Sequence, residues 1–224
     1  MSISIHLDEQ HVVVVGGTSG IGRAVANAAQ VAGARVTTLG RGSTMACDIT
    51  DTNSVNAAFK QLGHIDHLVI TAGARVGSPR IDQLSDEELA LAFDVKLFGA
   101  LRVIRAALPV LAPHASITLT SGVLARKPSA GGLLKGTVNA AIEAATHQLA
   151  KELAPRRVNV VSPGVINTEL WGCDARDTTL ARIGAALPVG RVGQPDELAL
   201  AYLLAMRTGF MTGAVLDVEG GALL

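Results

Sequence analysis

The hydrophobic pattern of this chain switches repeatedly between two kinds of segment. Short runs rich in β-branched residues, apolar at nearly every position, separate longer Ala- and Leu-rich stretches whose apolar residues recur three and four apart. The first run holds four valines at 12–15 with no polar alternation, which predicts a strand buried on both faces. Strands are expected at 11–15, 35–39, 67–70, 116–119, 158–161 and 214–218. Helices are expected at 20–32, ending at Gly33, and at 51–62 with Thr50 or Asp51 near the cap. Ser85-Asp86-Glu87-Glu88 reads as a capping box opening a long helix to about residue 111. A further helix carries Lys135 and runs to about 153, and Pro195 opens one to about 206. Alternating strands and helices of this kind predict repeated βαβ units: an α/β fold, one doubly wound domain over residues 1–224, with a mainly parallel sheet and helices on both faces. No linker, repeat or low-complexity segment interrupts it.

Composition narrows the class. With 224 residues, 49% hydrophobic and 17% charged, the chain can bury a full core and is not a disordered or solenoid protein. Lys plus Arg and Asp plus Glu are both 19, so no basic field invites nucleic acid and little net charge opposes self-association. Cys47 and Cys173 lack the spacing of a metal site or redox pair, and the six histidines fall at no convincing ligand spacing. No metal is expected. The first residues lack the cationic start and apolar core of a signal peptide, and no apolar run is long enough to span a bilayer. A soluble, cytoplasmic protein without a membrane partner is the expectation.

The chemistry begins at Val15. Gly16-Gly-Thr18-Ser19-Gly20-Ile21-Gly22 links the first strand to a helix. Glycines let the backbone turn sharply and approach a diphosphate, while the helix N-terminus offers unpaired N–H donors. The spacing Gly-x-x-x-Gly-x-Gly resembles the short-chain dehydrogenase/reductase family, and later segments extend the resemblance over nearly the whole chain. Asp48-Ile49 is similar to the family's pair beside the adenine. Thr71-Ala72-Gly73 is similar to its Asn-Ala-Gly strand end, with the asparagines lost. Pro163-Gly164-Val165, with Thr168, resembles the segment that holds the nicotinamide carboxamide, and 211–221 resembles its closing strand. The resemblance implies a Rossmann-type fold, a nicotinamide cofactor, a small carbonyl or alcohol substrate, a variable substrate lid at about 169–187, and a homodimer or homotetramer.

Two features specify the adenosine end. An acid after the second strand would bind both ribose hydroxyls and repel a 2′-phosphate. This chain has Leu39-Gly40-Arg41-Gly42-Ser43 instead, with a guanidinium suited to a phosphate dianion, so NADP(H) is expected. Between Arg41 and Asp48 there are too few residues for a helical crossover, which needs a dozen or more. The helix between the second and third strands should be missing and the edge strand reduced to a stub.

The reacting end is altered. Aligned through the helix 140–155, Lys135 stands on the family's tyrosine and Asn139 on its lysine; these are i and i+4, on one helical face. The other register puts Lys135 on the lysine and Gly131 on the tyrosine, but needs a four-residue insertion inside the helix. Lys96 occupies the family's asparagine position, and Ser121 matches its serine. The resemblance implies a proton donor at 135, a carbonyl-orienting Ser121 and a ribose contact from Asn139; Lys96, if it lies close, would act as an electrostatic modulator by like-charge repulsion. Lysine and tyrosine have similar ordinary pKa values, about 10.4 and about 10, so Lys135 can serve as general acid. An NADP(H)-binding sensor or partner subunit without turnover, or imine chemistry at Lys135, are the other readings. Arg23 is a possible phosphate contact or a solvated helix residue. Arg75, Arg80, Arg126 and Lys127 fall in loops near the expected cleft mouth, and Trp171 in the lid.

Overall fold

The computed structural model describes residues 6–172 and 176–224. Seven strands form one parallel sheet: β1 (His11–Val15), β2 (Arg35–Gly40), β3 (Met45–Ala46), β4 (Ile65–Ile70), β5 (Leu111–Thr120), β6 (Arg157–Pro163) and β7 (Val215–Val218), in the order β3-β2-β1-β4-β5-β6-β7. The valine run becomes β1, every residue of which is buried. Val13 and Val15 point into one apolar layer, and Val12 and Val14 into the other, as the period of two requires. The first layer is closed by α2 (Thr52–Lys60), α4 (Gly99–Ala107) and α5 (Leu133–Glu152), the second by α1 (Gly20–Val31) and α7 (Pro195–Arg207). The chain winds outward from β1 on one side and from β4 on the other. Their carboxyl ends therefore flank a crevice at the switch point, where ligands of such sheets bind.

Local chemistry sets the helix boundaries. Asp51 accepts from the Asn53 amide at 2.8 Å and starts α2, and Ser85 with Glu88 forms the capping box of α3 (Asp86–Phe93). Pro195 occupies the first turn of α7. As the short spacing requires, no helix joins β2 to β3, and β3 is two residues long. The long helix expected from Ser85 to about 111 is two helices instead. A π-turn at Asp94–Phe98 separates α3 from α4, α4 ends at Ala107, and Leu111 already pairs with Ile65 in the sheet. A helix α6 (Arg176–Ala185) lies in the expected lid, and Cys173 falls outside the described residues. Among the described residues no helix is long and apolar enough to cross a membrane.

Opposite the crevice, the sheet carries a buried imidazole. His67 is fully bonded, Nδ1 to Ser116 Oγ at 2.7 Å and Nε2 to Gln10 Oε1 at 2.8 Å, and burial lowers its pKa from 6.5 to about 4. The unfolded chain therefore takes up this proton first. The contribution is complete above pH 6.5 and is lost as pH falls from 6.5 towards 4, on the order of 3 kcal/mol in full. Melting temperature measured across that window should fall with acidification in the wild type. His67→Gln should be less stable at pH 7 but show a flatter profile between pH 6.5 and 4.

Candidate active site

At the end of β1 the backbone turns through Gly16 at φ +88°, with the Gly16 amide donating to Leu39 O at 2.8 Å. A Cβ on Gly16 would lie 2.8 Å from the Ala72 amide nitrogen, and one on Gly22 only 2.1 Å from the Gly16 carbonyl oxygen. The turn therefore packs directly on the β4 end and on itself. Thr71 Oγ1 reinforces the joint, donating towards Val15 O at 3.2 Å and Gly16 O at 3.3 Å. The brace made by this threonine was not anticipated. Ser19 is the N-cap of α1 but makes no side-chain cap bond, and the first turn holds no acid, so the helix's positive end faces the crevice. Thr18, Ser19, Gly20 and Ile21 border it, with Ala72 and Gly73 opposite. A tightly packed glycine turn that brings backbone amides to a helix N-terminus fits the diphosphate of a dinucleotide.

At the far end of the crevice Arg41 is exposed just beyond β2, while Ser43 Oγ donates back to Gly40 O at 3.2 Å. Asp48 Oδ1 accepts from Thr50 N at 3.0 Å and Thr50 Oγ1 at 2.7 Å. These bonds, then the Arg41 charge, hold its pKa low. Ile49 is buried beneath α4, where a Cβ on Gly99 would meet it at 2.9 Å, so its side chain belongs to the core as much as to the crevice. On the other wall Pro163 ends β6, and the Gly164 amide donates to Val218 O at 3.0 Å. Val165 follows, and Thr168 is buried against Gly20.

The catalytic candidates converge from three elements. Lys96, in the π-turn, donates from Nζ to Asn139 Oδ1 at 2.5 Å and to Ser121 O at 2.8 Å. Burial, then the charge of Lys135, lowers its pKa to about 8. Asn139 is buried in α5, and one turn earlier Lys135 donates from Nζ to Ser78 Oγ at 2.9 Å. Burial lowers the Lys135 pKa below its ordinary value of 10.5. Gly131 precedes α5 and adopts φ +72°, so it does not lie on the helical face of Lys135.

Ser121 is engaged within the protein. Its hydroxyl is buried and donates to Glu143 Oε1 at 2.9 Å, one turn beyond Asn139 on α5. Its amide is pinned to Val161 O at 2.9 Å. Glu143 also pairs with Arg126 Nε at 3.4 Å, and Arg126 pairs in turn with Asp217 on β7. Arg126 is therefore a structural tie and not a free cation for substrate. Lys127 donates to Ala222 O at 2.6 Å and Arg80 faces Asp82 at 3.9 Å, whereas Arg75 is exposed. Glu143 was missed, although its i+8 spacing from Lys135 placed an acid on the same helical face. Tyr202, the one tyrosine, is fully buried against Thr120 Oγ1 at 2.7 Å, and burial pushes its phenol pKa up.

A family model described as enoyl-(acyl carrier protein) reductase matches residues 15–222. A short-chain dehydrogenase/reductase of Stachybotrys chlorohalonatus is 33% identical, over 96% of this chain and 97% of its own. This chain belongs to the short-chain dehydrogenase/reductase family. Carbonyl reductase family member 4 of Xenopus laevis is 31% identical, covering 93% of this chain and 95% of its own. The crystal structure of a small-chain dehydrogenase in complex with NADPH is 42% identical, with a TM-score of 0.92, over 96% of this chain and 99% of that one. This short-chain dehydrogenase/reductase is thus an oxidoreductase-family protein.

The glycine-turn geometry is testable without any ligand. Gly22→Ala must move the turn backbone, because its Cβ would overlap the Gly16 carbonyl. It should cost about 1–3 kcal/mol, read as a lowered midpoint in urea unfolding. An unchanged midpoint would contradict the packing described.

Proposed function

We propose that this protein reduces a small carbonyl compound with NADPH, and that the Lys135 ammonium donates the proton. The observation that carries the reading is the pair of lysines at the crevice. One ammonium is locked inside by Asn139 and Ser121 O, and the second lies within its field, hydrogen-bonded to a serine hydroxyl at the mouth. Bound NADPH supplies a hydride. Lys135 then gives its proton to the oxygen on which negative charge develops, and its lowered pKa makes that transfer easier near neutral pH. Ser78 fixes the amine in free enzyme. Asn139 and Lys96 reverse the lysine and asparagine that the family resemblance assigns to positions 139 and 96, and the two side chains touch. A positive charge is thus kept at this point, delivered from the π-turn instead of α5. Ser121 acts through its backbone carbonyl, as a positioning residue for Lys96, while Glu143 holds its hydroxyl.

NADP(H) is supported by Arg41 and by the lack of a carboxylate after β2, together with the NADPH complex of a 42% identical relative. Thr18, Ser19, Gly20 and Ile21 would hold the diphosphate, Arg41 the 2′-phosphate, Asp48 the adenine, and Pro163 to Thr168 the carboxamide end. Leu91, Phe98 and Leu101, exposed apolar side chains along the α3–α4 segment, favour a homo-oligomer. One observation favours a second reading, a cofactor-binding partner without turnover: the Ser121 hydroxyl is committed to Glu143.

Titration should show NADPH binding roughly 10–100-fold more tightly than NADH, the range of a charge-assisted contact. Arg41→Ala should remove most of that preference, and tighter NADH binding by the wild type would overturn it. Single-turnover oxidation of NADPH over a carbonyl panel tests the chemistry. The rate should fall as pH rises through the Lys135 pKa, at a midpoint below 10.5. Lys135→Ala should slow turnover by about 100-fold or more. NADPH binding with no oxidation by any carbonyl would establish the second reading.

A further inference from the structure

The N-terminus of α1 is already in contact with an anion from this chain. Glu169 opens the short turn Glu169–Trp171 that follows Thr168, and its Oε2 accepts from the Gly20 amide at 3.1 Å. Its Oε1 is paired with the Arg23 guanidinium. The contact joins positions 149 apart in sequence. It supplies to α1 what its own residues do not, since the first turn has no acid and Ser19 makes no side-chain cap. Glu169 is held above Gly20 by its neighbours: Thr168 is buried against that glycine, and Trp171 Nε1 donates to Ile166 O at 2.9 Å. The carboxylate thus lies at an amide that a glycine-rich turn offers to phosphate oxygens.

We propose that Glu169 is a displaceable latch on the cofactor seat, a carboxylate that a dinucleotide's diphosphate must expel from the Gly20 amide before it can bind fully. This rests on the NADP(H) reading of the crevice. Two anions cannot share one N–H donor, and a carboxylate left beside a diphosphate would repel it. The latch is weak by construction: the Glu169 and Arg23 side chains are 47% and 54% exposed, so water can replace each partner. Expulsion also frees the Arg23 guanidinium beside the incoming phosphates.

The test is equilibrium titration of the whole protein with NADPH, and separately with adenosine 2′-monophosphate, which carries no diphosphate. Glu169→Gln and Glu169→Ala should each bind NADPH about three- to fivefold more tightly than the wild type, a surface ion pair's worth. Adenosine 2′-monophosphate should bind all three alike. Equal or weaker NADPH binding by both variants would overturn the latch while leaving the NADP(H) reading intact. Tighter binding of adenosine 2′-monophosphate as well would also overturn it, because the effect would not be at the diphosphate. Absence of NADPH binding to every form would remove the NADP(H) reading and the latch together.

Discussion

A half-buried ammonium with two oxygen acceptors ties three elements together at one end of the crevice. Lys96 reaches from the π-turn to the Asn139 side chain on α5 and to the Ser121 carbonyl just beyond β5. Removing a charge from water is expensive unless its hydrogen bonds are replaced, and here two of three ammonium donors have named acceptors. The remaining cost appears as a depressed pKa, deepened by a second lysine nearby. The π-turn is part of the same solution. One extra residue in the helical ladder, at Asp94–Phe98, lets the chain carry Lys96 across the crevice while α3 and α4 remain packed on either side.

Around that contact α5 acts as a ruler. Lys135, Asn139 and Glu143 follow one another at intervals of four on one face, with separate tasks. The first meets Ser78 at the mouth, the second accepts from Lys96, and the third secures the Ser121 hydroxyl and reaches through Arg126 to β7. The other end of the crevice is governed by backbone rather than side chains. There Gly16 and Gly22 let the turn pack directly on the β4 end and on itself, and Glu169 accepts from the amide of Gly20.

Much of this was legible in the residues. Four consecutive valines could only be a strand buried on both faces, and the bounds His11–Val15 follow. The short spacing between Arg41 and Asp48 excluded a crossover helix, and β3 is indeed a stub. What could not be read depends on hydrogen-bond register. Phe93 to Phe98 holds no proline or glycine, so composition gave no sign that the ladder slips by one residue there. The direction of Ser121 was hidden differently. Thr120 faces Tyr202 in the α7 layer, so the alternation of a strand sends Ser121 to the opposite face, towards α5 and Glu143. That parity was available in principle, but only once the end of β5 was known. Long-range side-chain partners such as Gly20 and Glu169 have no local signature at all.

The central claim is that the two lysines at the crevice titrate below the solvated ones, Lys96 under both burial and the charge of Lys135. Lysines labelled with 13C at Cε allow each amine to be followed by NMR through an alkaline titration. The account predicts two resonances moving at lower pH than the rest, one with its midpoint near 8 for Lys96. Lys135→Met should remove the other and shift the Lys96 midpoint upward, because its neighbouring charge is gone. All lysines titrating together near 10.4, or a Lys96 midpoint indifferent to Lys135→Met, would contradict it.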